Sequence, residues 1–216
     1  RQKSIFERVG APWNIYLLDD LTEGKLPRFK MYVFLNCFHM TDAQRQFITR
    51  NLQSGGTTLL WMLAPGYVSD TTLDVRHVRE LTGMAMAERT GDLMWRMTLS
   101  DKQDLTKGII DFEQPNFKLP LQFVPEDARA TSLASWESTD LPALAVLKRP
   151  EWTSIYSSGP LLSADLIKRL ARDAGVHVYT DSTEPAFVGG GLLSLHSGFA
   201  RTETLHFPRP TTVTDL

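Results

Sequence analysis

Between Phe29 and Gly66 the chain changes its hydrophobic period twice. Met31 to Leu35 is a short apolar run rich in β-formers, the pattern of a strand buried on both faces. Thr41 has helix N-cap chemistry, and Gln44, three residues on, can reach back to complete a capping box. Ala43, Phe47, Ile48 and Leu52 then recur at spacings that share one helical face. Gly55 and Gly56 supply the left-handed backbone that ends a helix, and Thr58 to Met62 is a second apolar run. Strand, helix and strand with such tight punctuation predict a βαβ unit and a mostly parallel sheet. In sheets of this kind, ligands gather beyond the carboxyl ends of the strands. Those ends are Asn36 to His39 and Ala64 to Tyr67.

The flanking pattern extends the same architecture. Arg1 to Val9 reads as the last turns of a helix, with Ile5, Phe6 and Val9 on one face and Gly10 as its stop. Trp13 to Leu18 reads as a strand with Asp19 and Asp20 at its end. Val75, Val78 and Leu81 mark a short helix closed by Gly83. Leu93, Trp95, Met97 and Leu99 alternate with polar or exposed positions, as in one half-buried strand. Residues 101–125, with proline at 115, 120 and 125, read as an irregular surface excursion, a lid or an interface arm. Leu133 to Trp136, Ala143 to Lys148 and Trp152 to Tyr156 predict an antiparallel meander. Ser163 caps a second helix whose stripe is Leu166, Ile167, Leu170, Ala171 and Ala174. Strands are expected at Val176 to Thr180, near Leu192 to Leu195 and at Thr202 to Phe207. The fold class read from this order is α/β, a Rossmann- or flavodoxin-like, mostly parallel sheet with flanking helices. Residues 1–216 form one domain in this reading, with 130–157 and 187–216 as β additions.

Composition narrows the partners. Charged residues make up 22% and the net charge is −2, without a basic run, which argues against nucleic acid and anionic membranes. No stretch approaches the roughly 20 apolar residues of a membrane helix. The expectation is a soluble chain, with a cytoplasmic location slightly favoured. A single cysteine excludes an internal disulfide and a CxxC metal site. The first residue is Arg1 and the strand that should precede the first helix is missing, so a fragment of a longer, multidomain chain is expected.

Candidate chemistry is sparse. Cys37 follows a central strand, where hydrolases of this class place a nucleophile, and His39 is close in sequence. A nucleophile elbow needs small neighbours, but Cys37 stands between Asn36 and Phe38. The helix also starts too late to aim its amides at the thiol, so a buried, inert cysteine is the favoured reading. Asp19 and Asp20 can cap a turn or bind a metal or a sugar hydroxyl. The histidines, at 39, 77, 177, 196 and 206, have no metal-ligand spacing; convergence of His177, His196 and His206 is the weaker alternative to separate backbone-bonded rings. Gly189-Gly190-Gly191 precedes a strand rather than a helix, which favours a turn or bulge over a phosphate loop. No metal or cofactor is expected.

The segment YVFLNCFHMTDAQRQFITRNLQSGGTTLLWMLAPGYV resembles the Rossmann-like domain that follows the catalytic barrel in bacterial β-galactosidases of glycoside hydrolase family 42. SIYSSGPLLSADLIKRLARDAGVHVYTD and LLSLHSGFARTETLHFPRPTTVTDL resemble later parts of the same proteins, so the likeness runs from Ile15 to the end. That domain is the β-galactosidase trimerisation domain, of class I glutamine-amidotransferase-like fold. The resemblance implies a non-catalytic oligomerisation module, because the glycosidase carboxylates of such proteins lie in the upstream barrel. The amidotransferase motif, a cysteine between glycines, is not met at Cys37, so no catalytic residue is carried over. The readings are an assembly domain that lends Asp19, Asn36 and Tyr67 to a carbohydrate pocket, a Cys37-dependent amidotransferase-like hydrolase with His39, or a small-ligand sensor. A homo-oligomer formed through the parent chain is expected from the resemblance. The apolar Ile109, Ile110, Phe112, Phe117 and Phe123 of the excursion would pack on the chain's own core or on a neighbour.

Overall fold

A computed structural model describes residues 2–94, 96–110, 118–137 and 139–214, with backbone alone at 92–94 and 118–120. Trp95, Phe112 and Phe117 of the readings above lie outside the described residues. In chain order the first elements are α1 (Gln2–Phe6), α2 (Leu18–Thr22), β1 (Met31–Phe34), α3 (Asp42–Asn51), β2 (Thr57–Met62) and α4 (Val75–Thr82). Next come β3 (Met86–Met94), β4 (Met97–Leu99), β5 (Lys118–Pro125), β6 (Thr131–Trp136), β7 (Pro142–Lys148) and β8 (Trp152–Ser157). The last are α5 (Ala164–Asp173), β9 (Ala186–Gly189) and β10 (Leu192–Leu195). They fall into two compact units, Tyr16–Leu161 and a second made of Arg1–Ile15 with Leu162–Leu216.

The larger unit is built on a six-stranded sheet of order β1-β2-β8-β7-β6-β4. β1, β2 and β8 are mutually parallel, with Val33 beside Leu60 and Leu60 beside Ile155. β8-β7, β7-β6 and β6-β4 are antiparallel, so the sheet is mixed and the meander extends its parallel half. All six residues of β2 are buried, the two leading threonines as well as the apolar Leu59 to Met62, as befits a central strand. The predicted capping box of α3 is formed: Thr41 Oγ1 accepts from the Gln44 N–H at 3.2 Å, and Gln44 Oε1 accepts from the Thr41 N–H at 2.9 Å. Its buried face is not quite the predicted one. Ala43 is exposed, while Arg45 is buried beside Ile48. Arg45 tolerates burial because its guanidinium donates to Met40 O at 2.8 Å and to the Asp42 carboxylate, although its Nε has no hydrogen-bond partner among the described residues and lies 3.8 Å from the Glu80 carboxylate. α4 is capped at its start by Asp74, whose Oδ1 accepts from the Arg76 N–H at 2.7 Å, and at its end by Gly83 with φ +66°. Ile48, Leu52, Val78 and Leu81 join Phe34, Leu59, Trp61, Leu147 and Tyr156 in one core.

Three sequence readings need correction. Trp13 to Leu18 forms no strand: residues 13–17 pair with no ladder, Ile15 and Leu17 are 65% and 72% exposed, and Leu18 already begins α2. β-propensity without a neighbouring strand leaves extended chain. The run from Leu93 to Leu99 is two strands in different sheets, because β3 pairs with β5 whereas β4 pairs with β6. The excursion is not irregular throughout, since its last part is β5. Proline masked that strand to sequence reasoning, but a two-stranded ribbon leaves outer edges where a missing N–H costs no ladder bond. Phe123 and Val124 are buried in the core, whereas Ile110 is 86% exposed.

Asp127 fastens the turn between β5 and β6. Its carboxylate accepts from the Ala85 N–H at 2.9 Å, the Arg129 N–H at 2.9 Å and the Arg129 guanidinium at 2.6 Å. The Arg129 side-chain bond, followed by the backbone donors, holds the carboxyl well below the usual carboxylate range. A carboxyl depressed in the folded state stabilises above its unfolded pKa of about 3.9, and the contribution fades as pH falls toward the lower folded value. Asp127→Asn should therefore cost about 1.5–3 kcal/mol at pH 7, the range for hydrogen bonds to a charged group. The difference from the parent should shrink in urea titrations below pH 4; a gap that stays constant down to pH 2 contradicts the assignment.

In the smaller unit α1 packs against α5. Ser163 Oγ accepts from the Leu166 N–H at 3.2 Å, and Leu166, Ile167, Leu170 and Ala171 are buried as predicted. Gly10 has φ +73°, and a Cβ there would lie 3.0 Å from Thr180 O. The Tyr179 N–H donates to Gly10 O at 2.7 Å. Val176 to Thr180 and Thr202 to Phe207 are not the expected strands; their one ladder-type pairing among the described residues is the isolated bridge between Thr180 and Leu205. Their order comes from side chains instead. Lys168 Nζ donates to Asp181 O and Ser182 O at 2.9 and 2.6 Å, and the Asp181 carboxylate holds both Arg172 and His206 Nε2. Gly190 and Gly191, with φ +59° and +80°, form the two-residue turn of the β9–β10 hairpin, the turn reading of the glycine run.

Candidate functional site

The carboxyl ends of β1, β2 and β8 lie along one edge, because the three strands are parallel. Two residues there have left-handed backbone without being glycine: Asn36 at φ +52° and Leu63 at φ +67°. Each follows its strand closely and turns the chain abruptly. For leucine this conformation costs about 1–2 kcal/mol, so the surroundings must impose it. They do. The Leu63 N–H donates to Ser157 O at 2.8 Å, and Leu63 O accepts the buried Tyr156 hydroxyl at 2.5 Å. Burial pushes the Tyr156 phenol above its ordinary pKa, so at neutral pH it is a hydrogen-bond donor. Ser158 Oγ donates to Phe123 O at 2.5 Å, drawing β5 over the same edge.

The loops after β1 and β2 are zipped to each other. Gly66 N–H donates to Cys37 O at 2.8 Å, Val68 N–H to Phe38 O at 2.9 Å and Met40 N–H to Val68 O at 3.1 Å. Arg45 lies beneath, with its Cδ 3.2 Å from where a Gly66 Cβ would be, and His77 Nδ1 is 3.1 Å from Gly66 O. The crevice that sheets of this class offer to ligands is spanned here by the protein's own hydrogen bonds.

The structure brings the loops of Asn36 and Tyr67 together through the Cys37–Gly66 bond. Asn36 is exposed. Tyr67 is half-buried, its ring edge-on to Phe123 at 4.8 Å, and its phenol is raised by burial and then by the Glu88 carboxylate. Asp19 is joined elsewhere: its Oδ1 accepts from Gln44 Nε2 at 2.8 Å, linking α2 to the capped end of α3. Asp20 Oδ2 accepts from the Leu17 N–H at 3.2 Å, the capping chemistry of the two sequence alternatives. His39 Nε2 lies 2.9 Å from Asp70 Oδ1. His177 Nε2 donates to His206 O at 2.7 Å. Among the described residues no group of three or more His, Cys, Asp or Glu side chains is arranged to hold a metal ion, and no helix is long and apolar enough to cross a membrane.

Cys37 is half-buried, with Sγ 3.4 Å from Leu35 O. Burial raises its thiol to about 11. At pH 7 the thiolate fraction is then on the order of 10⁻⁴, and the thiolate is the reactive species. Labelling of the native chain by a thiol reagent at pH 7 should be slower than labelling of the urea-unfolded chain by a factor of roughly 100 or more. Equal rates would restore Cys37 as a nucleophile.

Sequence reasoning missed Arg45, Tyr156 and Ser158, groups that hold the edge together, and gave Phe123 only a packing role. One signal was present: Tyr156-Ser157-Ser158 places hydroxyls at the end of an otherwise apolar strand, where strand-end carbonyls need donors.

No family model matches this sequence, and no curated protein matches it. Solved structures do. The chain is similar to the β-galactosidase from Rahnella sp. R3, at a TM-score of 0.60 and 14% identity over 86% of this chain and 28% of that one. It is similar to the β-galactosidase from Bacillus circulans sp. alkalophilus, at a TM-score of 0.57 and 15% identity over 87% and 29%. A third is a catalytic mutant of Gan42B, a GH42 β-galactosidase from G. stearothermophilus, at 0.58 and 14% over 86% and 27%. At such identities the likeness is one of fold. The chain spans under a third of the length of each of these enzymes.

Proposed function

We propose that this chain is a non-catalytic structural and oligomerisation module of a β-galactosidase-like glycoside hydrolase, with the topology of the class I glutamine-amidotransferase-like fold. The carrying observation is the shared fold over 86% of the chain, matched to only 28% of a longer β-galactosidase. The carboxyl edge supports it. Cys37 sits as a protonated thiol, and strand ends that hold reactive groups in enzymes of this class are here bonded to one another. Asn36 and Tyr67, on the joined loops, are the residues of this module offered to a carbohydrate held by the rest of the parent chain, with Asp19 one helix away. The module's role is to fix subunits relative to each other, and the parent protein is a homo-oligomer through it.

Light scattering on the full-length parent protein tests the proposal. The expected result is a mass at a whole-number multiple of the chain mass at micromolar concentration and physiological salt. A monomer under those conditions removes the assembly role.

A further inference from the structure

We draw no further inference here: the strongest candidate, the groove of about 390 Å³ on the β9–β10 hairpin lined by Trp13, Phe187 and Leu192, is an unpartnered apolar face, and nothing in the structure shows what covers it.

Discussion

Trp61→Ala is expected to remove about 3–5 kcal/mol of folding stability, the range for truncating a buried aromatic. Trp61 is the penultimate residue of β2, the strand between β1 and β8, with none of its surface exposed. Its ring stacks on Phe34 at 4.4 Å with 13° between planes. Truncation removes that contact and leaves a void inside the core cluster that Trp61 shares with Leu59, Ile48 and Leu81. The loss is a large part of the roughly 5–15 kcal/mol that a domain has in total. Trp61→Phe separates packing from polarity. Trp61 Nε1 is buried with no hydrogen-bond partner among the described residues, so phenylalanine deletes an unsatisfied donor while keeping an aromatic ring. Its cost should be less than half that of alanine. Urea denaturation followed by circular dichroism reads both, with the denaturant slope checked for constancy. A loss under about 1 kcal/mol for Trp61→Ala would show that β2 is not the centre of the core.

Gly66→Ala should cost about 2–5 kcal/mol, combining a left-handed backbone penalty with an overpacking penalty. Gly66 has φ +63°, and an added Cβ would lie 2.8 Å from Leu81 Cδ1 and 3.2 Å from Arg45 Cδ. Arg45 cannot give way freely, because it is bonded to Met40 O and Asp42. Gly24 supplies the control: its φ is +70° and a Cβ there meets nothing within 4 Å. Gly24→Ala should show the backbone penalty alone, about 1–2 kcal/mol. Equal destabilisation at the two positions would mean that the loop adapts and the contacts carry no weight. Because the Gly66 N–H holds Cys37 O, a loosened loop should also speed thiol labelling at Cys37.

Much of this architecture was legible in the residues. The βαβ unit announced itself through two apolar runs, a complete capping box and paired glycines, and all three features are local. The meander was legible for the same reason, since turn formers separate its strands. What failed was non-local. Trp13 to Leu17 has the composition of a strand, but a strand exists only if a neighbour pairs with it. Residues 118–125 have the composition of a loop, yet β3 offers them a ladder. In the candidate site, the loops of Asn36 and Tyr67 could be placed from the strand ends. The bond that holds Leu63 O at the same edge comes from Tyr156, more than eighty residues beyond Tyr67 in sequence, and no spacing rule links the two.

The smaller unit is discontinuous, made from residues 1–15 and 162–216 with the whole of the larger unit between them. This arrangement orders events in time. The meander closes over short loops, whereas the Gly10–Tyr179 bond joins residues 169 apart, and closure entropy and high contact order make such pairings late. During synthesis residues 1–15 emerge ahead of residues 16–161 but wait for residues 162–216 before their partners exist. Until then α1 has no α5 to pack against. The larger unit has every one of its strands available by Ser157, so synthesis itself separates the folding of the two units.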